Sequence, residues 1–468
     1  MLYFLLAAVI AVLPGHAAAG KPEETADYIA GTLIVFNDNG AWSWFQDERA
    51  IVDPVAGTLL VGSVSNKAGD GGAARDGNVE LAVHSLETGA TRVVALHERF
   101  EGDDHDAPAL MIRPDGRYLA AYSKHNGDRL THWRVSAEPH DATRWNEVQF
   151  FDWFQPPASI GDNLTSYANV FHLSAEGRSY NFVRSVNRDP NILISTDEGS
   201  TWSYGGKLLT DKTIGYVNGY VKYASNDRDR IDFITTEHHP RDFNNSIYHG
   251  FVSGGRIHRS DGTIVDNDIL ASPAPAPTEL TRVFAAGTAI DGEVLTRCWT
   301  SDLALDGCTG HPYGVFMCRA NDEPANSNFN DHRFLYARFD GTAWQAHRLA
   351  KAGGPLWPGE QDYVGGAAVD PQDRNIVYIS ASIDPRDDTK LAKHEIFKGV
   401  TSDDGATWGW TPITLNSSVA NLRPIVPRWD SDRTAVLWCR GTMGSSQDYA
   451  MRIVGTIEPR ALLADISR

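Results

Sequence analysis

The sequence predicts an all-β protein, a seven-bladed β-propeller of four-stranded antiparallel blades. Three observations lead there. An eight-residue pattern, Ser/Thr-x-Asp-x-Gly-x-Thr-Trp, occurs twice, as STDEGSTW at 195–202 and TSDDGATW at 401–408. Asp and Gly suit a tight turn, and Thr-Trp suits the start of a strand. A longer grammar recurs along the chain: an apolar strand, a turn rich in Asp, Gly and Asn, then a second β-rich strand. Finally, the 468 residues carry 42 Gly, 13 Trp and 10% aromatics, which fits short strands and glycine turns better than amphipathic helices.

The units follow in order. WFQDERAIVDPVAGTLLVGSVS (44–65) opens the series, then DAPALMIRPDGRYLAAYS (106–123), SYANVFHLSAEGRSYNFVRS (166–185) and GYVKYASNDRDRIDFITT (219–236). CWTSDLALDGCTGHPYGVFMC (298–318), DYVGGAAVDPQDRNIVYISAS (362–382) and RPIVPRWDSDRTAVLWC (423–439) complete seven. Their spacing is that of a four-stranded blade with its loops. The last unit is one strand short, and TLIVF (32–36) is placed to supply that outer strand and close the ring. The Pro/Ala-rich stretch 268–290 reads as a long connection between blades. Residues 1–19, MLYFLLAAVIAVLPGHAAA, read as a secretory signal peptide, leaving 20–468 as one propeller domain of a secreted protein.

A net charge of −18 argues against a nucleic-acid binder, because phosphate affinity rests on basic surface. An anionic substrate then needs a local basic patch that overrides the global field. The hairpins say where such a patch lies. Residues equally far from a turn on its two arms face each other. In the second unit, centred near Asp115, His105 and His125 lie ten residues to either side. In the third, centred near Glu176, Tyr167 pairs with Arg184; in the fourth, Tyr220 lies opposite Glu237-His238-His239; in the fifth, Cys298 and Cys318 straddle Cys308. First strands line a propeller's channel, so these ends converge on one rim, with Arg188 in the loop after Arg184. Each residue alone reads most simply as structural; their convergence from successive blades points to chemistry.

His and Tyr without an obvious central pair of carboxylates disfavour ordinary glycoside hydrolysis. They fit proton abstraction beside a carboxylate neutralised by Arg or a charged His, that is, β-elimination at a uronic acid. NDNGAWSWFQDERAIVD (37–53), the two-histidine blade at 104–128, SYANVFHL…YNFVRSVNRDP and YVKYASN…HHPRDFNNSIYH resemble the secreted seven-bladed ulvan lyases. That resemblance implies a carbon–oxygen lyase acting on ulvan, a sulfated rhamnose–uronic acid polymer, and leaving 4,5-unsaturated uronyl ends. It implies His105 and Tyr167 as the acid/base pair, and His125, Arg184, Arg188 and Tyr220 as carboxylate neutralisers or substrate contacts. It also implies a metal ion away from the chemistry. A structural zinc held by Cys298, Cys318 and His239 (or His238, or His311) is the expectation, against a Cys298–Cys318 disulfide. The expected partner is an anionic sulfated polysaccharide, with no nucleic acid, no membrane, no organic cofactor and a monomeric protein. The competing readings are a sialidase-like hydrolase, a non-catalytic glycan-binding propeller and another uronate lyase.

Overall fold

The computed structural model describes residues 26–154, 163–211, 213, 220–271, 273–322 and 328–460. The signal-peptide expectation for 1–19 therefore lies outside the described residues. Seven antiparallel blade sheets follow one another along the chain, a two-stranded sheet pairs Tyr28–Ile29 with Thr414–Leu415, and helical structure among the described residues amounts to a few 3-10 turns. No helix there is long and apolar enough to cross a membrane.

The innermost strands of blades 1 to 7 are Ala50–Asp53, Ala109–Ile112, Val170–Leu173, Lys222–Ser225, Glu293–Leu305, Ala367–Asp370 and Ala420–Ile425. Each turns back through the hairpin that its sequence unit predicts. Blades 1, 3, 6 and 7 have four strands, while blades 2, 4 and 5 carry extra edge strands. Two of these come from the stretch read as plain connection. Within 268–290, Thr281–Phe284 pairs with Ile247–Ser253 of blade 4, and Thr288–Ile290 pairs with Glu293–Leu305 of blade 5.

The ring closes as the strand count requires. Ile34–Asn37 adds to Asp448–Pro459 as the outer strand of blade 7, with Ile34 opposite Gly455 and Val35 opposite Val454. One sheet is thus built from both ends of the described chain, which leaves the ring without an open seam. Trp42, fully buried, adds a second tie through its Nε1 donor to the Arg423 carbonyl at 3.1 Å.

The two repeated octapeptides are turns between the outer strands of blades 3 and 6. In each, one Asp carboxylate accepts the backbone N–H and the hydroxyl of the Thr four residues on: Asp197 with Thr201 at 2.9 and 2.7 Å, Asp403 with Thr407 at 2.9 and 2.6 Å. The glycines adopt φ of 85° and 95°, a region that L side chains rarely enter. Trp202 then meets Trp133 of blade 2, and Trp408 meets Tyr336 of blade 5. The box locks each blade to the one before it.

Candidate active site

Register carries the hairpin arithmetic into space. In blade 2, Ala109 pairs with Ala121 and Ile112 with Tyr118, which sets His105 opposite His125 beyond the strand ends. The two imidazoles stack, with centroids 3.8 Å apart and planes within 10°. His105 lies on the 3-10 turn Asp104–Asp106, whose cap, Asp103, accepts the His105 N–H at 3.0 Å. The same carboxylate meets Nδ1 of His105 at 2.6 Å and Nδ1 of His125 at 3.1 Å. Asp104 stands 2.9 Å from His105 Nδ1 and accepts Arg423 Nη1 at 2.5 Å.

These contacts divide the charge. Burial works against a proton on His105, but the Asp103 and Asp104 carboxylates outweigh it and hold the ring at about 9. His125 is pushed down to about 4 by burial and then by the positive His105 beside it. At neutral pH one ring is a cation and its stacked neighbour is a neutral base.

Blade 3 supplies Tyr167 and Arg184. Ser166 bridges to Arg184 across the strand start, and Arg184 Nη2 donates to Ser166 Oγ at 2.8 Å. The guanidinium lies 4.8 Å from the Tyr167 ring centre and 5.5 Å from that of Tyr220, while its buried Nε has no partner. Tyr167 takes the left-handed φ of 67°, a strained setting for a bulky side chain. Its buried hydroxyl also has no hydrogen-bond partner. Burial raises that hydroxyl well above its ordinary range, and Arg184 offsets only part of the rise. The Tyr167 hydroxyl therefore keeps its proton at neutral pH.

Tyr220 joins the cluster as the hairpin rule places it, 5.2 Å from the His239 ring. Tyr223, the other tyrosine near that strand start, instead stacks on Phe182 in the core. Arg188 is exposed on the turn Val186–Arg188, one step beyond Arg184. The structure thus brings His105, His125, Tyr167, Arg184 and Tyr220 together and sets Arg188 at the edge.

Sequence reasoning missed the groups beneath. Trp44 and Phe45, from the loop before blade 1, meet Trp299 at 5.6 and 5.5 Å; Phe45 also meets Tyr167 and Tyr220 at 5.3 and 5.0 Å. Tyr363 packs on Trp44 at 5.0 Å. This aromatic layer parts the rim from a separate cavity of about 1560 Å³ at the other mouth of the channel, which includes Glu48, His172 and Asp302 and none of the rim residues. The expectation of no central carboxylates is also corrected: Asp103, Asp104 and Asp106 are all fully buried beside His105. The run EGDDHD was the available signal. They do not form a hydrolytic pair, because Asp103 serves two histidines, Asp104 serves Arg423, and Asp106 has no exposed surface.

Two members of the expected zinc set are joined to each other in the structure. Cys298 and Cys318 stand opposite each other on paired strands, Cα atoms 4.0 Å apart, and are joined as a disulfide. Neither sulfur is then a thiolate, which is what zinc requires. His239 accepts the Arg241 N–H at Nδ1 and packs on Tyr220 and Trp299; burial pushes it down to about 3. His311 lines the far cavity. Asp103, His105 and His125 keep their ligand atoms within 4.8 Å of one another. Parallel stacked rings, however, leave no point that lies in both imidazole planes, where the nitrogen lone pairs are. The disulfide closes a span of 20 residues, so a Cys298→Ala/Cys318→Ala variant should lose about 3 kcal/mol in a denaturant titration. Loss of stability on chelation, with the cysteines intact, would contradict this.

The profile of the BNR repeat-containing family matches residues 73–352. The chain belongs to that family. No curated protein matches it by sequence. Among solved structures it is similar to an ulvan lyase described as a new family of polysaccharide lyase and bound to -[GlcA(1-4)Rha3S]-, with a TM-score of 0.63 and 14% identity over 91% of this chain and 95% of that one. The unbound form of an ulvan lyase of the same description gives 0.63 and 15% over the same shares. The polysaccharide lyase Uly1 gives a TM-score of 0.54 and 13% identity over 92% and 100%. At these identities the likeness is one of fold.

Proposed function

We propose that the chain is a polysaccharide lyase that cleaves an ulvan-type, sulfated, uronic-acid-containing polymer by β-elimination. The observation that carries this reading is the pairing of an orphaned, protonated Tyr167 hydroxyl with Arg184 and a histidine pair of split charge. Each supplies one requirement of elimination. Arg184 and cationic His105 neutralise the uronate carboxylate, which acidifies the neighbouring C5–H and stabilises the enolate-like charge. His125, neutral, accepts the C5 proton. The C5 electrons form the C4=C5 double bond, the C4–O4 bond breaks, and Tyr167 protonates the departing oxygen. Tyr220 lies against Arg184, where it contacts the same sugar.

This departs from the roles that the family resemblance implied, which paired His105 with Tyr167 as acid and base in either order and made His125 a carboxylate neutraliser or substrate contact. The charge division favours it: a group already protonated near neutrality cannot take another proton. No step passes through a metal ion. The -[GlcA(1-4)Rha3S]- bound to one fold relative supports the substrate class.

A sialidase-like site calls for further arginines on the substrate carboxylate, whereas Arg423 Nη1 is held by Asp104 and the Trp42 carbonyl and its guanidinium lies 4.7 Å from the Trp44 ring centre. Incubation with ulvan should raise ultraviolet absorbance at the band of a conjugated uronate. Binding of the polymer with no rise in absorbance would support a glycan-binding propeller instead.

A further inference from the structure

We infer that Asp103 is the positioning residue of the histidine pair, one carboxylate that fixes both rings in the Nδ1–H form with Nε2 free to face the substrate. The inference rests on the lyase reading for its kinetic arm and on the geometry alone for its spectroscopic arm.

An ionised carboxylate only accepts hydrogen bonds. Oδ1 meets His105 Nδ1 at 2.6 Å and Oδ2 meets His125 Nδ1 at 3.1 Å, so each Nδ1 must carry a hydrogen. In a neutral ring the lone pair then sits on Nε2, on the side away from Asp103. A free choice of tautomer would leave a neutral His125 with its basic nitrogen turned inwards for part of the time. Asp103 removes that choice.

The carboxylate is itself held. Oδ1 takes the His105 backbone N–H at 3.0 Å, and Oδ2 takes Gln447 Nε2 at 2.9 Å. Gln447 lies in the turn of the last hairpin of blade 7, where the Ser446 carbonyl accepts the Asp104 N–H at 3.0 Å. Blade 7 thereby braces the turn of blade 2 that carries His105. The two histidines are not equivalent under this arrangement. His105 has a second carboxylate, Asp104, which is fixed by Arg423; His125 shares its single carboxylate with Gln447. The other charged or titratable groups nearby are Asp106, whose carboxyl burial and the neighbouring carboxylates hold well above its ordinary range, Arg184, Tyr167, Tyr449 and the rim carboxylate Glu360, together with Glu101, which accepts the His125 backbone N–H at 2.8 Å.

The test is Asp103→Asn, which keeps the size but offers one donor and one acceptor where the rings need two acceptors. Nitrogen NMR of histidine-labelled protein should show neutral His125 as the Nδ1–H tautomer in the native chain and an altered tautomer in the variant. The alkaline limb of the activity profile should move down towards ordinary histidine. On an ulvan-type polymer kcat should fall about a thousandfold, the cost of a misoriented imidazole, with KM nearly unchanged. Should Asp103→Asn fail to fold, Gln447→Ala removes one restraint on Oδ2, and neutral His125 should then lose part of its Nδ1–H preference, with a smaller loss of kcat. An unchanged His125 tautomer, or unchanged pH limbs in folded Asp103→Asn, would overturn the inference. If native protein cleaves no uronate polymer, the lyase reading fails while the NMR result still decides the role of Asp103.

Discussion

His125→Ala should lower kcat on an ulvan-type polymer by about three orders of magnitude while KM changes little, because it removes the group that takes the C5 proton. The pH dependence distinguishes this role from a merely structural one. As a neutral base, His125 is lost to protonation when pH falls through about 4, so activity should fall on that side. As a cation beside the substrate carboxylate, His105 is lost to deprotonation when pH rises through about 9, so activity should fall there too. The profile of kcat/KM should be a broad bell between these limbs. His105→Ala should then do more than reduce the rate. By removing the positive neighbour that helps depress His125, it should bring the acid limb up towards ordinary histidine. An acid limb that stays near 4 in that variant would separate the two rings and contradict the coupling.

Arg184→Ala should lower kcat/KM by about two to three orders of magnitude, with both a raised KM and a lowered kcat, since the guanidinium binds the carboxylate and stabilises the charge that develops on it. Arg184 is buried and its Nε has no partner, so a desolvated donor is already in place before substrate arrives. Arg184→Lys should recover little, because a point charge does not reproduce a planar fork on a carboxylate. Kinetics on a polymer whose uronates have been esterified offer the matching control: the native rate should fall, and the native-to-variant ratio should shrink.

The architecture was largely legible in the sequence because a hairpin unit repeated at blade spacing leaves a local record at every turn. The same locality made the rim readable. His105 and His125 lie on one hairpin, where counting from the turn fixes what faces what; in blade 3 the count is one residue out, since Ser166 and not Tyr167 pairs with Arg184, and in blade 4 it brings Tyr220 only to the neighbourhood of His239. Asp103 escaped because its importance depends on a ring orientation, not on a position. Trp44 and Phe45 escaped because they approach from the closing loop, and no count along one hairpin brings them to the rim. The cysteines show the limit of counting. Opposition across a strand pair was correctly placed, but opposition serves a disulfide as readily as a shared ligand, and in the structure the two sulfurs are joined to each other. The extra strands in 268–290 were hidden by proline-rich flanks that carry no alternating pattern.

Proton NMR of the products from ulvan digested to completion tests the central claim most directly. Elimination predicts a vinylic H4 signal at new non-reducing ends, in step with the number of new reducing ends. New reducing ends without that vinylic signal would mean hydrolysis, and would contradict the roles given to His125, Arg184 and Tyr167.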